Sequence, residues 1–304
     1  MASSRELARA SLEVAAEVNV TVDEQNIDVG GLSVCYLMAG EGPPLVFLHA
    51  LGESALDWRW VLPALAHTHR VYAVDLPGFG YSAKPSTEYS PAFFTSFVGA
   101  YLDALGLERT ALVGNSLGGL VALHLALSDP ARVSALGLAA SAGLGRAVAY
   151  ALRLPTLPGY GEMAVAWGKT PLGAAQRAWS RVPLLFAHPE RVPAEWITEQ
   201  TRLAQLPGFM EATISALRTC VDLGGQREVL VNQLPRLQMP TLVIWGERDQ
   251  VFPYSQGQKA VSCLRQGFLE LIPDCGHLAH VEQPHHFAAI LGEFLDECGG
   301  TNPD

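Results

Sequence analysis

The sequence predicts an α/β fold in which a mostly parallel sheet carries helices on both faces and is interrupted by a helical insertion. Short apolar runs, typical of strands buried on both faces, alternate with helical segments from about residue 26 to residue 139. The alternation stops near residue 141 and resumes at residue 240. The stretch between these points is rich in proline and in helical patches, and it shows no convincing strand.

The elements follow in chain order. Residues 1–22 predict an amphipathic helical arm, whose apolar positions are Leu7, Leu12, Val14 and Val18. Segments 26–29 and 32–38 predict a hairpin around Gly30-Gly31. Further strands are predicted over 45–49, 71–75, 111–113, 133–139, 241–245 and 268–272, and helices over 58–67, 91–105, 120–127, 255–264 and 284–297. We assign residues 23–140 and 238–298 to a core domain and residues 141–237 to a helical cap.

Composition limits the classes of function. The chain has 304 residues, of which 49% are hydrophobic and 16% charged, and this suits a soluble protein with a large core. A net charge of −10 without a basic block argues against nucleic acid as a partner. No apolar run reaches the roughly 18–20 residues of a membrane helix, and the first ten residues do not form a signal peptide. Five scattered cysteines favour a reducing, cytoplasmic location without a zinc cluster, and oligomeric state stays open.

The most informative motif is the pentapeptide from Gly114 to Gly118, which reads G-N-S-L-G. An apolar strand precedes it and a strong helix-forming stretch follows it, which is the context that gives a G-x-S-x-G pattern its meaning. A side chain on such a sharp turn needs very small neighbours two residues away on each side. We therefore predict that Ser116 is a nucleophile held at a helix N-terminus, where negative charge is favoured.

An acid and a base follow two later strands. Asp249 and His277 lie on the loops after strands 241–245 and 268–272, and ligands bind at the carboxyl ends of parallel strands. Their order after Ser116 is the order of a serine, acid and histidine triad on this type of sheet. His277 would take the serine proton and Asp249 would hold its ring. The rival histidines are His280, His285 and His286, and the rival acid is Glu247.

An oxyanion hole is expected after the strand 45–49. The backbone N–H of Leu51 would join that of Leu117, the residue after the nucleophile. His49 is predicted to brace this loop, and Asp75 to shape the neighbouring turn Asp75–Ser82 rather than to take part in chemistry.

These motifs together resemble the α/β-hydrolase superfamily with a helical cap, over about residues 24–297. The resemblance implies a sheet of the eight-stranded type and a catalytic triad of Ser116, Asp249 and His277. The chain departs from the family at Ala50, where the family usually has glycine. A serine at 116 also separates it from relatives with an aspartate nucleophile, such as typical epoxide hydrolases and haloalkane dehalogenases.

The first hypothesis is a carboxylic ester hydrolase with an apolar cap pocket. We assign Ala50, Asn115, Trp167, Phe186 and Leu278 to substrate binding. Further candidates for the pocket wall are the apolar cap residues Tyr150, Leu152, Leu154, Leu184, Leu185, Trp196 and Phe209.

Two other hypotheses stay open. The elbow also resembles that of hydrolases that cleave carbon–carbon bonds in dienoic meta-cleavage products, whose cap places an arginine against the substrate carboxylate, and Arg202 falls in a similar segment. Against this, those relatives tend to have tryptophan where this chain has Leu278. The third hypothesis is a ligand-binding or accessory protein of the same fold without catalysis. No hypothesis requires a metal or an organic cofactor.

Overall fold

The computed structural model describes residues 20–299. The predicted N-terminal arm therefore lies outside the described residues except for its last three positions, where Val20 and Val22 pack against the core.

The described residues form the strands β1 Asp23–Val29, β2 Leu32–Ala39, β3 Pro44–Leu48, β4 Arg70–Val74, β5 Thr110–Asn115, β6 Val133–Ala139, β7 Val221–Asp222, β8 Gly225–Gln226, β9 Thr241–Gly246 and β10 Gly267–Ile272. Eight of them form one sheet, in the spatial order β1-β2-β4-β3-β5-β6-β9-β10, and β7 and β8 form a separate hairpin. The β1–β2 and β2–β4 pairings are antiparallel, and the five other pairings in the sheet are parallel. The predicted fold class is thus confirmed.

Helices cover both faces of the sheet, and side-chain caps mark where two of the longer ones begin. Ser90 accepts a hydrogen bond from the Phe93 N–H at 3.2 Å, and Thr170 accepts one from the Gly173 N–H at 3.0 Å; a proline follows each cap. The helices are α1 Leu62–Leu65, α2 Pro91–Ala104, α3 Leu117–Ser128, α4 Tyr150–Arg153, α5 Tyr160–Gly168, α6 Pro171–Leu185, α7 Ala194–Ala204, α8 Phe209–Cys220, α9 Ser255–Val261, α10 Ala279–Glu282 and α11 Pro284–Gly299.

The core consists of two apolar layers, one on each face of the sheet. One layer joins α2 and α3 to the sheet and continues into the cap, whereas the other lies between the sheet and α1 and α11. Residues on β3 alternate between them: Val46 and Leu48 belong to the first layer, and Leu45 and Phe47 to the second. A strand buried on both faces reads as a continuous apolar run, which explains why the sequence predicted these strands well.

Two predicted segments differ from the structure. The predicted helix over residues 58–67 is a 3-10 turn, Ala55–Trp58, followed by the one-turn helix α1. Pro63 lacks an N–H and fits only the first turn of a helix, so α1 cannot extend back to Trp58. The cap, predicted to hold no strand, contains the small β7–β8 hairpin, whose turn is Leu223-Gly224 and whose first β8 residue, Gly225, has a φ of +123°. Helices α4 to α8, three 3-10 turns and the connecting loops make up the rest of segment 141–237.

Candidate active site

Ser116 lies on a strained turn between β5 and α3. Its backbone angles are φ 53° and ψ −112°, and residues other than glycine rarely adopt this conformation. A Cβ at Gly114 would collide with the Gly118 backbone, and a Cβ at Gly118 would collide with the Leu48 carbonyl of β3. The two glycines are therefore required because main chains meet there, as the motif predicted.

His277 and Asp249 form a buried pair beside this turn. Their side chains are 2% and 0% exposed, and His277 Nδ1 lies 2.8 Å from Asp249 Oδ2. Asp249 Oδ1 accepts the N–H groups of Val251 and Phe252, at 2.7 and 3.1 Å. The carboxylate therefore has one oxygen held by the backbone and the other turned to the imidazole. Ser116 and His277 line the same cavity.

The rival residues are placed elsewhere. His280 stacks on Trp58 with ring centroids 4.0 Å apart, and burial lowers its pKa to about 3. His285 is exposed and His286 is partly exposed on α11. Glu247 is exposed and accepts the Asp274 N–H at 3.0 Å, which makes it a loop residue.

The loop after β3 carries the predicted oxyanion donor Leu51. His49 Nδ1 hydrogen-bonds the Ala50 carbonyl at 2.8 Å, while His49 Nε2 accepts the Leu76 N–H at 3.0 Å. Burial lowers the pKa of His49 to about 4, so the ring is neutral and Nδ1 is the donor. Because the Ala50 C=O and the Leu51 N–H belong to one planar peptide group, fixing the carbonyl also fixes the N–H.

Leu51 and Leu117 both line the cavity beside Ser116. Within residues 20–299, neither N–H donates to a backbone or side-chain acceptor of the protein. Ala50, which replaces the usual glycine, does not have a positive φ, so alanine fits its backbone. Asp75 accepts the N–H groups of Ala55 and Tyr81 at 2.6 and 2.7 Å, a structural role.

The cavity above Ser116 has a volume of about 410 Å³ and lies between the core and the cap. Its wall is mostly apolar. The predicted wall residues Ala50, Leu152, Trp167, Leu184 and Leu185 line it. Trp167, although 48% exposed, is held by a hydrogen bond from its Nε1 to Gln176 Oε1 at 2.7 Å.

Arg202 does not reach the cavity. It is exposed on α7, and its guanidinium carbon lies 5.3 Å from the centroid of the Tyr81 ring. Arg202 belongs to the solvent face of an amphipathic helix, the arrangement that its polar neighbours favour.

Several other predicted substrate contacts are core or surface residues. Asn115 is fully buried, and its amide donates to the carbonyls of Ala139 and His277, at 2.9 and 3.3 Å, which positions the histidine loop. Four further candidates are at most 2% exposed, belong to the apolar core and do not line the cavity: Phe186, Trp196, Phe209 and Leu278. Tyr150 and Leu154 point outward, at 77% and 48% exposure.

Comparison with known proteins agrees with this architecture. A sequence profile described as the alpha/beta hydrolase fold matches residues 43–284. The chain belongs to the α/β-hydrolase family. It is 32% identical to a 2-hydroxymuconate semialdehyde hydrolase of Pseudomonas sp. (strain CF600), over 86% of this chain and 89% of that protein.

Two solved structures illustrate the range of its relatives. A meta-cleavage product hydrolase from Pseudomonas fluorescens IP01 superposes with a TM-score of 0.77 at 27% identity, covering 90% of this chain and 97% of that one. A membrane phospholipase A described as a bacterial virulence factor also gives 0.77, at 26% identity, over 98% of this chain and 93% of that one. Hydrolases of different substrates thus share this fold.

Sequence reasoning missed a buried polar cluster of the hydrolase, at the edge of the cavity. Arg181 pairs with Glu53 and donates to Gln200 Oε1 at 2.6 Å, and Gln200 Nε2 donates to Glu53 Oε2 at 2.6 Å. Arg177 donates to Gln200 Oε1 at 3.1 Å and to the Gly52 carbonyl at 3.3 Å. The available signal was the pair of arginines four residues apart, which lie one above the other on a helix. Such a pair usually marks the solvent face of the helix, so the sequence gave no reason to place it at the cavity.

The charges of this cluster do not balance. Burial raises the pKa of Asp57 well above its ordinary value, and the charge of Glu53 adds to this effect, which favours the protonated form of Asp57. Burial, and then the neighbouring Arg181, lowers the pKa of Arg177 to about 9, which leaves it charged at neutral pH. Among residues 20–299, Glu53 pairs with Arg181, whereas Arg177 forms no ion pair with a carboxylate.

Residues 20–299 hold no group of three or more His, Cys, Asp or Glu side chains arranged to bind a metal ion. In the same part of the chain, no helix combines the length and the apolar character needed to cross a bilayer.

Proposed function

We propose that this chain is a serine hydrolase that cleaves carboxylic esters through an acyl-enzyme intermediate. The observation that carries the proposal is the buried 2.8 Å contact between His277 and Asp249 beside the strained Ser116, at the floor of an apolar cavity. Strain in the backbone is retained where function needs it, and an elbow serine beside a histidine is the arrangement that activates a hydroxyl.

Each group has a role in this chemistry. The contact with Asp249 keeps the His277 proton on Nδ1, so that Nε2 can take the Ser116 proton as the hydroxyl attacks the ester carbonyl. The N–H groups of Leu51 and Leu117 stabilise the oxyanion of the tetrahedral intermediate. His277 then protonates the leaving alcohol, and later it deprotonates the water that releases the acid.

The test is hydrolysis of p-nitrophenyl esters from acetate to laurate by the wild type and by Ser116→Ala. We expect turnover that the variant loses by at least about a thousandfold. Ser180→Ala is the matched control, because Ser180 lines the same cavity away from the elbow, and it should retain turnover. Equal rates for wild type and Ser116→Ala would refute the proposal and favour a ligand-binding role.

A second candidate is hydrolysis of a carbon–carbon bond in a carboxylate-bearing dienoate. Two observations favour it: relatives include a 2-hydroxymuconate semialdehyde hydrolase, and Arg177 is a partly buried cation on the cavity wall that pairs with no carboxylate among residues 20–299. A buried charge is costly unless it is paired, so a substrate carboxylate would complete the site. Arg177 here takes the part that the sequence assigned to Arg202.

The two candidates are separated by Arg177→Gln. On 2-hydroxymuconate semialdehyde, followed by loss of its dienolate absorbance, the second candidate predicts a fall in kcat/KM of at least about tenfold. On uncharged p-nitrophenyl butyrate the same variant would lose much less, because no carboxylate is recognised. If the wild type does not consume the dienoate, the second candidate is rejected and the ester proposal stands.

A further inference from the structure

We propose that the cap holds the oxyanion loop in its working shape, with Arg181 and Gln200 as positioning residues that act through Glu53. The inference rests on the proposed function, because the loop matters to the rate only if an oxyanion forms beside Leu51. It adds a coupling that neither the triad nor the cavity requires: the cap becomes part of the catalytic geometry.

Three successive loop residues are bound by the cap. Arg181, on α6, hydrogen-bonds the Leu51 carbonyl at 3.4 Å and pairs with Glu53. Gln200, on α7, donates to the same Glu53 carboxylate at 2.6 Å. Arg177, one turn before Arg181, donates to the Gly52 carbonyl at 3.3 Å. The loop thus contacts two cap helices through backbone and side chain together.

The core and the cap fix adjacent peptide planes. On the core side, His49 holds the Ala50 carbonyl, whose peptide group carries the Leu51 N–H. On the cap side, Arg181 holds the Leu51 carbonyl, which belongs to the next peptide group. With both planes held, the two backbone angles of Leu51 cannot change freely. The N–H direction needed for the oxyanion therefore depends on the cap as well as on the core.

Burial makes the arrangement sensitive to loss of one partner. The Glu53 side chain is 1% exposed and the Arg181 side chain 18% exposed. A carboxylate left buried without its cation is strongly unfavourable, so the loop would move to give Glu53 water or another donor. Such a movement turns the Leu51 N–H away from the position that the oxyanion occupies.

The experiment compares Arg181→Gln and Glu53→Gln with Arg218→Gln as the matched control, a cap arginine paired with Glu162 outside the cavity. With p-nitrophenyl butyrate we expect kcat to fall about 10- to 100-fold in the first two variants while KM stays within about threefold, because oxyanion donors act mainly in the transition state. Butane-1-boronic acid, whose adduct with Ser116 mimics the tetrahedral state, should lose affinity by a similar factor. The control should match the wild type.

Amide hydrogen exchange over residues 49–57 reads the loop without turnover. In a Ser116→Ala background, adding Arg181→Gln should speed exchange there by about tenfold or more, whereas adding Arg218→Gln should not. A rise in KM alone, or a fall in kcat with unchanged exchange in this segment, would overturn the inference. If Ser116→Ala keeps full turnover, the proposed function fails instead, and the exchange result still decides whether the cap holds the loop.

Discussion

At the residue scale, the site depends on side chains whose polar atoms all have hydrogen-bond partners. Asp249 divides its two oxygens between the backbone and His277, and His49 divides its two nitrogens between Ala50 and Leu76. Because each partner is fixed as a donor or an acceptor, each imidazole ring can carry its proton on one nitrogen only. Substitutions that preserve shape but reverse a donor and an acceptor are therefore the most informative.

Asp249→Asn should lower kcat on p-nitrophenyl butyrate by about 10⁴-fold, as replacing a triad aspartate by asparagine does elsewhere. The backbone N–H groups of Val251 and Phe252 keep the amide oxygen, so the NH₂ group faces His277 and forces the proton to Nε2. That tautomer cannot accept the Ser116 proton. Glu247→Gln, on the same loop, is the control and should stay within about twofold. Similar losses in both variants would contradict the assignment of the acid.

Asp57→Asn should raise the melting temperature at pH 7–8. Burial raises the pKa of Asp57 in the folded state, so the folded chain holds a proton that the unfolded chain releases above about pH 4. The contribution of Asp57 to the free energy of unfolding therefore falls as pH rises. Asparagine does not titrate, and its amide can donate a hydrogen bond to Glu53.

The measurement is Tm against pH for the wild type, Asp57→Asn and the exposed control Asp103→Asn. We expect the gain in Asp57→Asn to shrink toward pH 4. A difference that is the same at every pH would show that folding does not raise the pKa of Asp57.

At the scale of elements, the strand–turn–helix unit around Ser116 is limited by main-chain contact. Gly118→Ala puts a methyl group against the Leu48 carbonyl of β3, and we expect a loss of about 2–3 kcal/mol in the free energy of unfolding. Gly99→Ala is the matched control. It lies in α2 with no atom within 4 Å of the added carbon, so it should stabilise by about 0.5–1 kcal/mol.

Urea denaturation of both variants measures these two free energies. Equal small effects at the two positions would mean that β3 and the elbow can separate at little cost.

The elements that the sequence predicted best are those with strong local rules. Strand β3 is buried on both faces and reads as a continuous apolar run, and the elbow is fixed by Gly114 and Gly118. The proposed site residues Ser116, Asp249 and His277 were read from their positions at the ends of strands. The position of Arg202 could not be read in this way, because which face of α7 meets the cavity depends on how the cap packs.

The cluster around Glu53 was missed for a related reason. Its members come from residues 53, 177, 181 and 200, and no local pattern states that these segments meet. Polar residues in a helix usually mark its solvent face, and the structure reverses that expectation where α6 covers the loop. Long-range packing, rather than motif, decides which polar side chains of the cap serve the site.

At the scale of the whole molecule, the cap is tied to the core on two sides of the cavity. One tie is the Glu53 cluster at the oxyanion loop. The other joins the segment between α6 and α7 to the loop that carries His277. There, His188 Nε2 lies 2.8 Å from Asp274 Oδ2, and Asp274 also pairs with Arg191 and Arg248. Because both ties reach loops of the proposed site, cap position and site geometry should change together.

The second tie should weaken as pH rises. The close contact with the Asp274 carboxylate, and then the hydrogen bond with Glu190, raises the pKa of His188 above its ordinary value, against the opposing effects of desolvation and of the Arg191 charge. A raised pKa of this kind contributes stability that is complete below about pH 6.5 and is lost as pH rises through the folded value. His188→Gln should therefore have a lower Tm than the wild type near pH 5.5 and the same Tm near pH 9.

The control for this prediction is His285→Gln, an exposed histidine on α11 that should leave Tm unchanged at both pH values. Amide exchange over residues 186–192 and 273–278 adds the location of the effect. Faster exchange in both segments of His188→Gln at pH 5.5, with neither changed at pH 9, would show that the ion pair joins the cap to the catalytic loop. A Tm deficit that persists at pH 9 would mean that His188 acts through packing, and the charged part of the second tie would then be the pair between Arg191 and Asp274.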